Sequence, residues 1–421
     1  MKLQNLLYAT MVACAFSACS NDDDPNIPDP ALEMDATLTA MFNTVGDGGS
    51  GLKSTKADDA TYNTISKIGI AVFNKGAMGT AMAEGALIDY QVKTNVSDTT
   101  ACISAKSGAV SILVIANPRG DMFQGLNTLE GFLGKIDDTA MDPTGADLLM
   151  SSQVHDITLK KGRNVFAKTA SDVDNTTNDM LVGSDNIALY RNVARVEVPK
   201  ITVSPREGFG KGDEVTFTLK SVFVANVRNS VRVGGLSDNA ADLLSAQKPW
   251  CTVVNNATDN LSGFASDPQS GSPYLKEYAV FKTLSYTGSV VDLSLTADAD
   301  KVKLFVYDNA SNEAITATKD DNKATLLVIK GDYEYKTSTG SKVKSENAYW
   351  TVPINNTNLD ATTGKNFPAH YGVLRNVKYI ISPTITGPGT GTITPESTGS
   401  SLSAKFEVVN WGEVNLDPDI D

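Results

Sequence analysis

The chain has 421 residues, a length that suits roughly two or three domains with substantial cores. Its formal charge of −13 argues against nucleic-acid partners, whose phosphates need a clustered basic surface. With two histidines and four cysteines, no CxxC or CxxH spacing and no GxSxG beside His155 or His370, the sequence offers no metal centre, no cofactor site and no catalytic residue, so an enzyme is not expected.

Residues 1–18 read as a signal peptide. Lys2 precedes an apolar run from Leu6 to Phe16, and the small residues Ser17-Ala18 lead to Cys19. The run is too short to cross a bilayer as a stable helix. Phe16-Ser17-Ala18-Cys19 resembles a bacterial lipobox, in which cleavage exposes the cysteine and its thiol is lipidated, with Phe16 in place of the usual Leu. Ser20-Asn21-Asp22-Asp23-Asp24 resembles the acidic tag that follows the lipidated cysteine in surface-exported lipoproteins of Bacteroidetes-type bacteria. Once Cys14 is removed and Cys19 acylated, only Cys102 and Cys251 remain, and a disulfide framework is not expected.

The next segment, 19–56, reads as a lipidated propeptide that carries a removable strand. In Thr37-Leu38-Thr39-Ala40-Met41-Phe42-Asn43-Thr44-Val45, the residues Leu38, Ala40 and Phe42 recur at every second position, which a strand gathers on one face. The same pattern returns near the other end of the chain, in Ser401-Leu402-Ser403-Ala404-Lys405-Phe406-Glu407-Val408-Val409. The first copy runs into Gly46-Asp47-Gly48-Gly49-Ser50-Gly51, then Lys53 and Lys56, a composition that suits a protease-accessible loop. Cleavage at Lys56-Ala57 would remove the first strand and leave a groove. A second subunit's strand, with Leu402, Ala404, Phe406 and Val408 on one face, would fill it.

From Ile65 onward, short β-branched and aromatic runs alternate with Gly, Asn, Asp and Pro clusters, the signal of an all-β sandwich. Strands are expected at Ile65–Phe73, Leu87–Lys93, Thr100–Ser104, Val110–Ala116, Ile157–Leu159 with Asn164–Lys168, Ile187–Ile201 and Glu214–Val227. A second set is expected at Glu277–Tyr286, Val290–Leu295, Lys303–Tyr307, Ala324–Ile329, Tyr349–Ile354, Val377–Ile385 and Leu402–Trp411. The sets echo each other: Arg191-Asn192-Val193 matches Arg375-Asn376-Val377, and Ile112–Asn117 matches Leu304–Asn309. A tandem duplication follows, with an N-terminal β-sandwich over 57–230 and a C-terminal one over 231–421 that ends in the donor strand. The Gly387-Pro388-Gly389 run reads as a hairpin loop or as a tether for that last strand.

These features together resemble the FimA-type major fimbrial subunits, the fimbrillins of type V pili. The resemblance rests on Cys19, the removable strand, Ile112–Asn117, the paired Arg-Asn strand starts, and the ending from Arg375 through Ile385-Thr386-Gly387-Pro388-Gly389 to Phe406–Trp411. It implies two transthyretin-like β-sandwiches and export as a lipoprotein held in the outer membrane by its lipid. It also implies maturation by a trypsin-like protease and donor-strand exchange between copies of the chain into an extracellular fimbrium. Anchor and tip pilus proteins, and a host or bacterial surface ligand, are the implied further partners. Family members are commonly cut after Arg, but this chain has none between Cys19 and Arg119, so Lys53 or Lys56 takes that role.

Two alternatives stand beside this reading: a tip or accessory adhesin, and a monomeric glycan-binding lipoprotein anchored at Cys19 with exposed aromatics. Arg119-Gly120-Asp121, the oxygen-rich Asp172–Asp179 stretch and the Gly387–Thr392 run read as ordinary loops. Trp350 and Trp411 are expected in cores.

Overall fold

A computed structural model describes residues 34–44, 62–94, 100–137, 147–166, 180–234, 281–292, 302–315, 324–356, 370–391, 401–410 and 414–417, with shorter gaps inside several of these spans. Cys19, Phe42, Lys56, Ala57 and Trp411 lie outside the described residues.

The chain is nearly all β. In order, the strands of its first half are β1 (Ala36–Met41), β2 (Asn43–Thr44), β3 (Ile68–Ala77), β4 (Leu87–Lys93), β5 (Thr100–Ala105), β6 (Gly108–Ala116), β7 (Ile136–Asp137), β8 (Met150–Ser152), β9 (His155–Leu159), β10 (Gly162–Phe166), β11 (Met180–Gly183) and β12 (Ile187–Arg191). One short helix, α1 (Leu129–Gly134), precedes β7. The second half adds β13 (Ala194–Val198), β14 (Lys200–Val203), β15 (Val215–Ala225), β16 (Val231–Arg232), β17 (Phe281–Thr287), β18 (Val290–Asp292) and β19 (Val302–Val306). It continues with β20 (Asn309–Ser311), β21 (Leu326–Lys336), β22 (Lys342–Pro353), β23 (Tyr371–Val373), β24 (Val377–Ile385), β25 (Leu402–Asn410) and β26 (Val414–Asp417).

Two compact units result. The first comprises residues 1–135, 146–190 and 413–421, and the second 136–145 and 191–412. Unit 1 holds a four-stranded sheet, β11-β10-β1-β5, and a larger one, β2-β26-β12-β8-β6-β3-β4, with β9 also on β6. Strand β3 is buried on both faces along Ile68–Asn74. Phe73 meets Phe132 of α1 edge-on at 5.2 Å, and Phe123 stacks on Phe132 at 5.1 Å, so the helix turn and the loop before it cap part of this sheet. Asn117, at φ 54° after β6, is buried. It accepts from the N–H groups of Ser66 and Lys67 and donates to the carbonyls of Thr64 and Leu148, which ties three segments together. Asn is among the few side chains that tolerate that backbone conformation, and its amide satisfies groups that would otherwise be buried unpaired.

Unit 2 holds a sheet β18-β14-β24-β13-β19, with β25 on β24, and a second sheet β17-β15-β21-β22. Side chains from both sheets, among them Val196, Tyr379 and Ile381 from one and Phe217, Leu327 and Trp350 from the other, form one core. That is why their strands carry apolar residues at alternate positions. The Gly387-Pro388-Gly389 run is docked on this unit. Trp350 Nε1 donates to the Gly387 carbonyl at 2.9 Å, and Thr390 exchanges two backbone hydrogen bonds with Tyr349. A side chain on Gly389 would strike the Tyr349 carbonyl and the Trp350 indole. The run is thus a fitted connection here, with Trp350 in the core as expected.

Two expectations change. The run Ile187–Ile201 is three strands, and the chain passes from one unit to the other at Tyr190/Arg191, not near residue 230. The cause is pairing: β13 bonds β19 and β24, and β15 bonds β17 and β21, all in unit 2. The two Arg-Asn motifs are also neighbours. Arg191 Nη1 donates to Asn376 Oδ1 at 2.9 Å and Arg375 Nη1 to Asn192 Oδ1 at 3.4 Å, a reciprocal pair inside unit 2. Arg375 Nε further donates to Asp308 Oδ2 at 2.5 Å, and both side chains are buried. Burying such a pair costs desolvation that its attraction largely offsets, and loss of one partner would leave the other charge buried and unpaired. The motif therefore repeats where two parallel strands begin side by side.

Candidate assembly site

The segment read as removable is an interior strand. β1 lies between β5, antiparallel, with six residues in register from Ala36↔Ala105 to Met41↔Thr100, and β10, parallel, with five from Ala36↔Gly162 to Ala40↔Phe166. Leu38 is 1% exposed, and its register partners Ile103 and Asn164 are buried too. Ala36 is also buried and Thr37 half-buried, so Ala36 and Leu38 share an inward face. Ala40 stands on the same strand opposite Ala101 and Phe166. Asn164 grips the strand from one side: its Nδ2 donates to the Thr37 carbonyl at 3.2 Å and to the carbonyls of Lys160 and Gly162, while its Oδ1 accepts from the Lys160 N–H.

The leading end of β1 is held by a charge. Asp35 accepts at 2.8 Å from the Ser107 N–H and at 2.9 Å from the Ser107 hydroxyl, with Lys161 Nζ at 3.5 Å and Lys106 Nζ at 4.0 Å. The Asp35 carbonyl accepts from Gly162 N–H at 2.9 Å. The Ser107 backbone N–H, its hydroxyl and the two ammonium groups hold the Asp35 carboxyl below its ordinary value against partial burial, so it is charged at neutral pH. Sequence reasoning missed this site because its donors lie 72 residues from Asp35; the one local signal is an acid placed just before the first apolar alternation.

The strand read as donor is β25. It pairs antiparallel with β24 over nine residues, from Val377↔Asn410 to Ile385↔Leu402, within the sheet of its own unit. Leu402 belongs to the unit 2 core and Ala404 packs against it; Phe406 stands opposite Ile381 and Val408 opposite Tyr379. Leu38 and Leu402 thus occupy places in different sheets of different units. A further strand, β26, was not legible in the sequence. It lies in unit 1 between β12 and β2, with Leu416 opposite Ile187 and Thr44, and Asp417 opposite Asn43. Among the described residues there is no cluster of metal ligands and no helix long and apolar enough to cross a membrane.

Comparison with known proteins agrees with this architecture. Residues 37–191, which begin inside β1 and run to the passage between the units, match the family described as major fimbrial subunit protein (FimA). The chain is 25% identical to the major fimbrium subunit FimA type-5 of Porphyromonas gingivalis over 99% of its own length and 98% of that protein's. It is 23% identical to the type-4 subunit of the same organism, over 99% of each chain. Among solved structures, a protein from Parabacteroides distasonis described as a cell adhesion protein matches at TM-score 0.62 and 19% identity, covering 91% of this chain and all of that one. A fimbrilin from Porphyromonas gingivalis matches at TM-score 0.55 and 15% identity, covering 91% and 99%. From end to end the chain resembles the FimA-type major fimbrial subunits, as its sequence motifs lead one to expect, and its residues 37–191 carry that family's own pattern.

Proposed function

We propose that this chain is the structural subunit of a fimbrial stalk that supports adhesion. It is exported as a lipoprotein acylated at Cys19, cut by a trypsin-like protease after Lys56, and polymerised by donor-strand exchange among its copies. The carrying observation is the place of β1: an interior strand, bonded on both sides, in the segment that precedes Lys53 and Lys56. Its removal would leave β5 and β10 with unmet backbone edges and a slot the size of Leu38. Unpaired strand edges of this kind recruit another chain.

The magnitudes favour a stable joint. Restoring one buried Leu is worth about 1.5–3 kcal/mol, and each ladder hydrogen bond adds roughly 0.5–1.5 kcal/mol net. With bonds on both edges, a full strand reaches on the order of ten kcal/mol before ordering costs, comparable to a whole domain's stability. No covalent link between subunits is required. The chain's final strands, β25 and β26, are the segments from which a donor would come.

Electron microscopy of the purified protein before and after trypsin tests this reading: fibres are expected only after cleavage. The fibre subunit should begin at or near Ala57 by amino-terminal sequencing. Fibres whose subunits still begin at Cys19 would overturn the proposal. In cells, Cys19→Ala should abolish lipid labelling and surface fimbriae together, and normal fimbriae in that variant would contradict lipoprotein export.

A further inference from the structure

The contacts that hold β1 are unevenly spread along it. At its leading end the Asp35 carboxylate accepts from the Ser107 N–H and hydroxyl, with Lys161 Nζ at 3.5 Å and Lys106 Nζ at 4.0 Å. The Asp35 carbonyl accepts from the Gly162 N–H and the Thr37 carbonyl from Asn164 Nδ2. Ser107, in the turn between β5 and β6, is 2% exposed, so its donors are met by Asp35 and not by water. The trailing end is held less. Pairing with β10 stops at Ala40↔Phe166, Met41 has only Thr100 as a register partner, and β2 beyond it has two residues in register with β26.

The cut proposed after Lys56 falls on the trailing side. It breaks a peptide bond outside the ladder and leaves the hydrogen bonds of β1 to β5 and β10, and the contacts of Asp35, as they were. A ladder strong enough to hold a replacement strand is strong enough to hold β1 itself, so cutting alone does not empty the groove.

We propose that cleavage turns β1 into a non-covalent clip: the cut strand stays in its groove, latched at Asp35 by Ser107 and Lys161, and leaves from the Met41 end only when another strand displaces it. This rests on cleavage and strand exchange as read above and adds the state that lies between them. Cys19 lies on the Asp35 side of β1. The latch would therefore keep a cut subunit on its lipid until exchange carries it into a fibre, and the cut by itself would shed nothing from the cell surface.

The test is size-exclusion chromatography of the trypsin-cut chain before fibres form, with the body peak read by mass spectrometry at successive times. The fragment ending at Lys53 or Lys56 should travel with the body. Asp35→Asn should shorten its retention about tenfold, the size of a lost charge-assisted hydrogen bond. Ser107→Ala makes the same test from the body side, and Asp35→Asn should add less in that background than alone, because the two side chains share one contact. Hydrogen exchange in the cut protein should open at Ala40 and Met41 before Ala36–Leu38. A body peak that lacks the fragment as soon as the cut is complete would overturn the clip. Retention as long as the parent's in both Asp35→Asn and Ser107→Ala would remove the latch, and exchange that opens first at Ala36–Leu38 would reverse the direction of release. Fibres that still contain the fragment would sink the strand-exchange reading itself, and the displacement step with it.

Discussion

Leu38→Asp should lower the stability of the uncleaved protein by roughly 3–5 kcal/mol, since it removes a buried apolar side chain and leaves a carboxylate with no partner in its place. Leu38 is 1% exposed, midway along a strand bonded on both sides, so water cannot reach the new charge without displacing β1. If cleavage after Lys56 removes β1 as proposed, the substitution is absent from the molecule that assembles. Fibres made from trypsin-treated Leu38→Asp protein should thus match the parent's in urea midpoint and in appearance. The pair of urea titrations, precursor and fibre, is the measurement. A fibre weakened as much as the precursor would mean that β1 stays in the mature subunit and that no groove opens.

Much of the fold is legible in the residues because each sheet buries a face. Leu87–Lys93 and Val377–Ile385 are strands with the ends their alternation gives, and β1 is visible from Leu38 and Ala40. What stays hidden depends on partners far along the chain. The apolar run from Ile187 to Val203 has no turn signal at Arg191-Asn192, yet the chain changes units there because β12 bonds β26 while β13 bonds β19 and β24. The hairpin of β21 and β22 extends through Lys330–Lys336 and Lys342–Ala348, where the exposed Lys336, Lys342, Lys344 and Glu346 interrupt the apolar period although the backbone ladder continues. Lysines along such an edge, with a bulge at Asn347 (φ 51°), also deter unwanted pairing. β26 is four residues long and its alternation is too brief to stand out. The Asp35 site needs β1, β6 and β10 brought together, and no local pattern encodes that.

Phe406→Asp should unfold unit 2 or cost it roughly 3–5 kcal/mol, whereas the sequence alone led to the opposite expectation, a folded monomer unable to assemble. The difference lies in where β25 is held. Leu402 is in the unit 2 core, Ala404 packs against it, and Phe406 stands in register opposite Ile381, which is fully buried. Lys405, between Ala404 and Phe406, is exposed, and Lys405→Asp should change stability by less than about 0.5 kcal/mol. Both variants are to be compared by circular dichroism during urea unfolding and by native gel after trypsin. Loss of the folded state in Phe406→Asp before any cleavage, with Lys405→Asp like the parent, would make the Leu-x-Ala-x-Phe repeat of 402–406 a specification of this chain's own sheet. A Phe406→Asp monomer as stable as the parent but unable to form fibres would instead make β25 the donor.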